Sequence, residues 1–272
     1  MTADQELVDR LDEVWMSIDE LGAQLDDADW ERETECPGWT VQDQVAHLAH
    51  IEWRLLGRPD VDHSVPDDLP HVKNSFAKIN EVFVDARRSW SGPDVLAEFH
   101  EATRQRVAEL RALTPEGFAT DSWTPMGPGT VRDLLPFRMF DAWVHEQDIR
   151  RAVGHPGDLD TPVAKQGLGM VTSSMSFVVG KKVAPPEGSV IVFSLSGPLA
   201  REVVVAIVDG RGRMLDAAPA EPSVVLNMTT ETFARLGCGR IEPVATVADG
   251  DVTFVGDATL GQRVVDAMNY LF

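Results

Sequence analysis

Apolar residues recur every three or four positions through the first half of the chain, which is the spacing of one face of a helix. The pattern predicts helices at 5–25, 40–56, 74–90, 93–113 and 130–153. The segments TVQD at 40–43 and TVRD at 130–133 have the Ser/Thr-x-x-acid form of a helix-capping signal. Pro136 lies in the second turn of the last helix and predicts a kink or a later start. Long helices with short connections are typical of a helical bundle.

The pattern changes after about residue 160. A helix near 163–180 is followed by β-rich segments at 190–195, 203–208, 224–228 and 252–255, with Asp209-Gly210 as a turn signal. Short helices are predicted at 230–236 and 257–271, the second with Asp257 as its N-cap. We therefore predict two domains, a helical bundle over 1–158 and an α+β domain with a mainly antiparallel sheet over 159–272.

Composition narrows the classes of partner. The formal net charge of −20 repels nucleic acid and anionic membrane surfaces, so neither is an expected partner. The two cysteines, Cys36 and Cys238, have no metal-ligand spacing and are expected to be reduced thiols. The N-terminus has no signal-peptide pattern, and no stretch is long and apolar enough to span a membrane. We expect a cytoplasmic protein.

His47 is the first candidate for chemistry. On a helical wheel it lies at the edge of the apolar face of the second helix, whereas His50 points away from that face. We expect His50, like His63, His71, His100 and His155, to lie in a loop or on the surface. A buried imidazole needs a polar partner, because leaving it unsatisfied costs roughly 1–3 kcal/mol. Taken alone, His47 is also compatible with a core histidine bonded to a backbone carbonyl.

Asp141, His145 and Asp148 share one face of the helix at 130–153, together with apolar residues. Buried charged groups are costly unless they are compensated. One interpretation is an Asp–His hydrogen bond, with Arg150 or Arg151 neutralising Asp148. The other is a divalent cation, for which two imidazoles and a carboxylate suit Zn²⁺ and leave a fourth position open. Asp148 is then an outer acceptor that orients His145. Trp39 and Trp143 are expected to pack in the core.

Two motifs resemble a known family. Residues 36–48, CPGWTVQDQVAHL, resemble the "PGWTVRDLxAHL" segment of the DinB/YfiT-like superfamily and of the mycothiol-dependent maleylpyruvate isomerase family. Residues 141–154, DAWVHEQDIRRAVG, resemble that family's second signature, E-x-x-x-H-x-x-D-[IL]-x-R-A-x-G. FARLGCGR at 233–240 and VGDATLG at 255–261 resemble its sterol-carrier-like C-terminal domain.

This resemblance implies a DinB-like four-helix bundle in which His47, Asp141 and His145 bind a divalent metal, which is zinc in the family's pattern. The aspartate departs from that pattern, which usually has a glutamate, and its shorter side chain changes the reach to the ion. The implied cosubstrate is the low-molecular-weight thiol mycothiol, which attacks an electrophilic small molecule. Isomerisation of a maleylpyruvate-like substrate or transfer of the thiol to an electrophile would follow.

Arg240 is the predicted catalytic residue of the second domain, where its guanidinium can contact a substrate carboxylate. A structural role for this arginine in a local turn fits its position equally well. The alternative function is a non-catalytic small-molecule or lipid-binding protein whose metal is structural. A closed site with four protein ligands would favour that alternative.

Overall fold

The computed structural model describes residues 2–271, and the chain divides into two compact units, Met1–Gly157 and Asp158–Phe272. The first unit contains seven helices and one hairpin among the described residues: α1 Ala3–Gly22, α2 Asp27–Trp30, α3 Val41–Leu55, α4 Ser75–Asp85, α5 Gly92–Arg111, α6 Pro115–Phe118, β1 Asp121–Thr124, β2 Gly127–Thr130 and α7 Val131–Val153. Within residues 2–271, no helix combines the length and apolar character needed to cross a membrane.

The four long helices form the predicted bundle. Helix α1 packs on α5 and α7, and α3 packs on the same two helices, so the four enclose a single core. Helix α4 lies outside this bundle, against α3. The largest fully buried side chains of the unit come from α1, α3, α5 and α7, with one from α6: Leu11, Trp15, Ile18, Leu48, Phe99, Leu110, Phe118, Leu135, Met139 and Ile149.

Both capping signals act as predicted. The Thr40 side chain accepts the backbone N–H of Asp43, and the Asp43 carboxylate accepts the N–H of Thr40. Thr130 and Asp133 make the same reciprocal pair at the start of α7. The later start of α7 is wrong, because the helix begins at Val131 and runs through Pro136. A proline in the second turn removes only one backbone hydrogen bond of a 23-residue helix, which the remaining turns tolerate.

Other boundaries differ from the pattern. Helix α4 ends at Asp85 rather than near residue 90. The β1–β2 hairpin, in which Asp121 pairs with Thr130, was not predicted, because Gly and Pro residues in its strands hide any two-residue alternation.

Among its described residues, the second unit places four helices and a π-helical segment around a sheet. Its elements are α8 Pro162–Phe177, a π-helical segment Val178–Val183, β3 Val190–Ser196, β4 Arg201–Val208, β5 Arg211–Leu215, β6 Val224–Thr229, α9 Thr230–Gly237, α10 Pro243–Ala248, β7 Thr253–Gly256 and α11 Ala258–Ala267. The strand order is β5-β4-β3-β6-β7, in which β3 and β6 are parallel and every other pair is antiparallel. The predicted α+β class with a mainly antiparallel sheet is confirmed.

Asp209 and Gly210 form the predicted turn between β4 and β5, with φ angles of 53° and 69°. The Glu187 carboxylate accepts the N–H groups of both turn residues at 3.0 Å. The apolar pattern did not predict strand β5, because β5 is a short edge strand whose arginines face solvent. Asp257 caps α11 as predicted, since its side chain accepts the N–H of Leu260.

The π-helical segment approaches β5 without intervening side chains. A Cβ atom added at Gly180 would lie 2.3 Å from the backbone nitrogen of Gly212, and one added at Gly212 would lie 2.1 Å from the carbonyl oxygen of Ser176. Only glycine permits this distance between two backbones. The contact joins distant parts of the chain, so local periodicity gave no indication of it.

Candidate metal centre

His47 and His145 face each other from α3 and α7. Their side chains are 6% and 8% exposed, and their ring centroids are 4.9 Å apart in an edge-on arrangement. Asp141 lies one turn before His145 and is 30% exposed. The i, i+4 spacing places Asp141 and His145 on the same face of α7, and the packing of α3 on α7 brings His47 to them.

The three side chains converge on one point. His47 Nε2 lies 3.5 Å from Asp141 Oδ2, and His145 Nε2 lies 3.6 Å from Asp141 Oδ1. One ligand atom from each residue falls within 4.8 Å of the other two. Donors at about 2.1 Å from a tetrahedral ion are roughly 3.4 Å apart. The observed separations therefore suit a small divalent ion.

Gln44 fixes the tautomer of His145. The Thr34 hydroxyl donates to the carbonyl of Trp39 at 2.8 Å and accepts the amide N–H of Gln44 at 2.6 Å. The amide oxygen of Gln44 consequently faces Nδ1 of His145, which it contacts. Because that oxygen can only accept, Nδ1 carries the hydrogen and Nε2 presents its lone pair to the centre.

Asp148 does not have the orienting role predicted for it. Its Oδ2 lies 3.8 Å from Nδ1 of His145, beyond hydrogen-bond distance, and its Oδ1 accepts from Arg151 at 2.7 Å. Arg151 also pairs with Glu35 at 2.8 Å. The neutralisation of Asp148 by Arg151 is thus present, and Gln44 of α3 takes the position beside His145.

The pKa values of Asp141 and His47 favour the protonation states that bind a cation. Burial raises the pKa of Asp141, but the charges of Arg138 and of the two imidazoles outweigh burial and hold that pKa well below its usual value. Burial lowers the pKa of His47, against the opposing effect of Asp141. At neutral pH the carboxylate is therefore ionised and His47 is neutral, which are the forms that bind a metal.

Trp39 forms a wall of the centre. Its ring lies 5.1 Å from that of His47 and 5.9 Å from that of His145. Its Nε1 donates to Glu81 at 2.8 Å, and Glu81 is fully buried. The predicted packing role is present for Trp39 and for the buried Trp143, and Trp39 in addition contacts the imidazoles.

His50 is not a surface residue. Its side chain is 3% exposed and stacks on Phe83 of α4 with ring centroids 3.4 Å apart. The expectation failed because α4 covers the side of α3 that faces away from the bundle. His71 is also mostly covered, at 15% exposure, and its Nε2 lies 2.9 Å from Glu81. His63 and His100 are more exposed and pair with Asp85 and Asp19.

Arg240 follows α9 in the second unit, where its Nη1 donates to the carbonyl of Cys238 at 3.1 Å. This bond is the local turn contact that the sequence allowed for. A substrate-binding role for Arg240 remains a prediction.

Comparisons with known proteins identify the family. A model of the mycothiol maleylpyruvate isomerase N-terminal domain matches residues 11–150, which is more than half of the chain. The chain belongs to this family. The SCP-2 sterol transfer family matches residues 178–269. The resemblance seen in the sequence motifs is confirmed by both matches.

Similar proteins include a sequence relative and two solved structures. An uncharacterized protein of Mycobacterium tuberculosis, found in two strains, is 23% identical over 186 residues, which cover 66% of this chain and 69% of the relative. The crystal structure of the mycothiol-dependent maleylpyruvate isomerase superposes with a TM-score of 0.58 at 15% identity. A histidine-to-alanine mutant of that isomerase gives 0.59 at 14% identity. Each match covers 93% of both chains and shows a shared fold.

Proposed function

We propose that His47, Asp141 and His145 bind one divalent metal ion, Zn²⁺ by the chemistry of the donors, and that the protein uses it with mycothiol as a thiol cosubstrate. The convergence of two Nε2 atoms on one carboxylate, at 3.5 and 3.6 Å, carries this proposal. Two imidazoles and a carboxylate are a common ligand set of reactive zinc sites, which keep a fourth position open.

The protein's own groups account for this chemistry. Gln44 keeps the lone pair of His145 Nε2 directed at the centre, and burial keeps His47 neutral. Asp141 supplies a negative charge, and its 30% exposure makes the centre reachable by a small molecule. A divalent ion in this position lowers the pKa of a thiol that binds to it and so supplies a thiolate at neutral pH.

The reaction class follows from thiolate chemistry on an electrophilic double bond. The thiolate sulfur adds to one alkene carbon and leaves a carbanion on the other, the former double bond rotates, and expulsion of the same sulfur restores the alkene in the other geometry and regenerates the thiolate. This sequence makes the protein an isomerase of maleylpyruvate-like substrates. If the adduct is protonated and released instead, the protein is an S-transferase. Neither Cys36 nor Cys238 is required, since the cosubstrate brings the nucleophile.

Elemental analysis of the purified protein tests the metal site. We expect about one equivalent of metal per chain in the wild type and its loss in His47→Ala and His145→Ala. His100→Ala is the matched control, because His100 is 59% exposed and pairs with Asp19 at the surface. Unchanged metal content in both site variants, with folding intact by circular dichroism, would exclude the site.

Turnover separates the two reactions from the non-catalytic alternative, which the match to the SCP-2 sterol transfer family supports. The metal-loaded protein is incubated with mycothiol and either maleylpyruvate or a generic alkylating electrophile. Isomerised product without thiol consumption identifies an isomerase, and a stable conjugate identifies an S-transferase. Absence of both reactions in metal-loaded protein would favour small-molecule or lipid binding with a structural metal.

A further inference from the structure

Arg138 links the candidate metal centre to a buried ion network. It lies three residues before Asp141 on α7, and its side chain is 7% exposed. Its Nη1 donates to Asp141 Oδ2 at 2.7 Å, and its Nε donates to Glu52 Oε1 at 2.8 Å. Glu52 is fully buried and comes from α3, the helix that carries His47. The guanidinium is therefore held by both helices of the centre.

We infer that Arg138 is a positioning residue that holds the Asp141 carboxylate in place between His47 and His145 and supplies a fixed positive charge beside the centre. This inference rests on the proposed metal site. A free carboxylate can chelate an ion through both oxygens. A charge-assisted hydrogen bond of 2.7 Å from Arg138 to Oδ2 restricts rotation of the Asp141 carboxylate. The carboxylate would therefore meet an ion in one fixed orientation.

The orientation of Arg138 is itself fixed. Its planar guanidinium bonds Glu52 through Nε and Asp141 through Nη1, so rotation of the group breaks both contacts. Glu52 is in turn 3.6 Å from Arg106 of α5, which also pairs with Glu109 at the surface. Three helices of the bundle therefore hold the carboxylate of Asp141 in one position.

The network also determines the charge at the centre. Arg138 offsets the negative charge of Asp141, and Arg106 offsets that of Glu52, while Glu109, the other partner of Arg106, lies at the surface. A divalent ion consequently adds its full charge to the centre. Arg138 makes the site a stronger binder of anions, which matches a thiolate cosubstrate and a carboxylate-bearing electrophile.

Cobalt substitution tests the geometry. Co²⁺ absorbs strongly in four-coordinate sites and weakly in five-coordinate ones, so its visible spectrum reports how many ligand atoms surround it. We expect the spectrum of Arg138→Met to differ from that of the wild type, because the Asp141 carboxylate of the variant is free to rotate and to bind through one oxygen or both. Arg150→Met is the matched control, because Arg150 is a mostly buried arginine of the same helix that pairs with Glu146 instead.

Anion affinity tests the charge. Azide bound to the cobalt centre is expected to weaken by about tenfold in Arg138→Met, because a positive charge a few ångströms away is lost. Arg138→Lys keeps this charge and is expected to retain azide affinity, although its single ammonium cannot bond Glu52 and Asp141 in the same way. If Arg138→Met fails to fold, the double variant Glu52→Gln/Arg138→Met removes both buried charges together.

The outcomes distinguish this inference from the proposed function. Failure of the wild type to bind Co²⁺ would overturn the metal site and the role of Arg138 with it. Stoichiometric Co²⁺ in the wild type and in Arg138→Met, with the same spectrum and the same azide affinity, would overturn the role of Arg138 alone. A changed spectrum and weaker azide binding in Arg138→Met, but not in Arg150→Met, supports it.

Discussion

The amide oxygen of Gln44 accepts the Nδ1 hydrogen of His145 and thereby directs the Nε2 lone pair of that histidine at Asp141. The amide cannot turn over without cost, because its NH₂ group donates to the Thr34 hydroxyl at 2.6 Å. That hydroxyl donates its own hydrogen to the carbonyl of Trp39 and therefore has none to give to Gln44. A chain of hydrogen bonds therefore extends from the loop before α3 to a candidate metal ligand on α7.

Removal of this amide is expected to weaken metal binding. Gln44→Ala leaves His145 free to rotate or to carry its hydrogen on Nε2, so we expect metal affinity to fall by about 10- to 100-fold. Competition with a chromophoric chelator measures the affinity. Gln42→Ala is the control, because Gln42 lies on the same helix but its amide bonds the carbonyls of Arg87 and Trp90. Equal affinities of Gln44→Ala and the wild type would contradict the role of Gln44.

The sequence predicted what depends on local order. Helix faces, the capping boxes at Thr40 and Thr130, and the Asp209-Gly210 turn are all set by residues a few positions apart. Helix faces and the family motifs together gave the candidate ligands His47, Asp141 and His145. The i, i+4 spacing brings His145 to Asp141, whereas the approach of His47 depends on how α3 packs against α7, which periodicity alone does not give.

The wrong predictions concern residues of α3 whose surroundings are supplied by other helices. His50 was placed on the surface because the wheel of α3 has one clearly apolar face, but α4 buries the other side under Phe83. Gln44 carried a usable signal, since a polar residue on an apolar face three positions before His47 needs a buried partner. That partner is His145, and the contact depends on how α3 packs against α7. Sequence spacing favoured Asp148 as the acceptor beside His145, because both lie on α7.

Acid is expected to destabilise the protein through His50. Burial, assisted by the charge of Arg87, lowers the pKa of His50 to about 4. The unfolded chain, with an ordinary histidine pKa of about 6.5, then binds more protons than the folded chain between these values, so stability is lost as pH falls through this window. From about pH 7 to about pH 4.5 the loss attributable to His50 is roughly 2–3 kcal/mol.

Denaturant unfolding of the metal-free protein at the two pH values measures this loss, with His50→Leu as the comparison. The variant lacks the titrating group, so its free energy of unfolding should decline less over the same interval, whatever its stability at neutral pH. His100→Leu serves as the control, because His100 is largely exposed. Parallel declines in the wild type and His50→Leu would show that His50 does not titrate as described.

Two glycines of the second unit are expected to respond in opposite directions to alanine. At Gly180 the new Cβ would lie 2.3 Å from the Gly212 nitrogen, a backbone atom that cannot move aside. Gly180→Ala should cost about 1–3 kcal/mol or more of unfolding free energy.

Gly169 lies within α8, and a Cβ there meets no heavy atom within 4 Å. Gly169→Ala should stabilise the protein by roughly 0.5–1 kcal/mol. Thermal unfolding of the two variants checks both signs, and a neutral Gly180→Ala would contradict the close backbone contact.

Arg240 is expected to affect substrate binding more than catalysis of thiolate attack. If its guanidinium binds a substrate carboxylate, Arg240→Met should raise KM for maleylpyruvate by at least about tenfold, because a charge-assisted hydrogen bond is lost. Turnover of an uncharged electrophile with mycothiol should be unchanged, since it has no carboxylate. Arg240→Lys should restore part of the affinity through charge alone. A structural role through the hydrogen bond from Arg240 to the Cys238 carbonyl predicts a different result. A purely structural arginine would lower thermal stability and reduce turnover of charged and uncharged substrates alike.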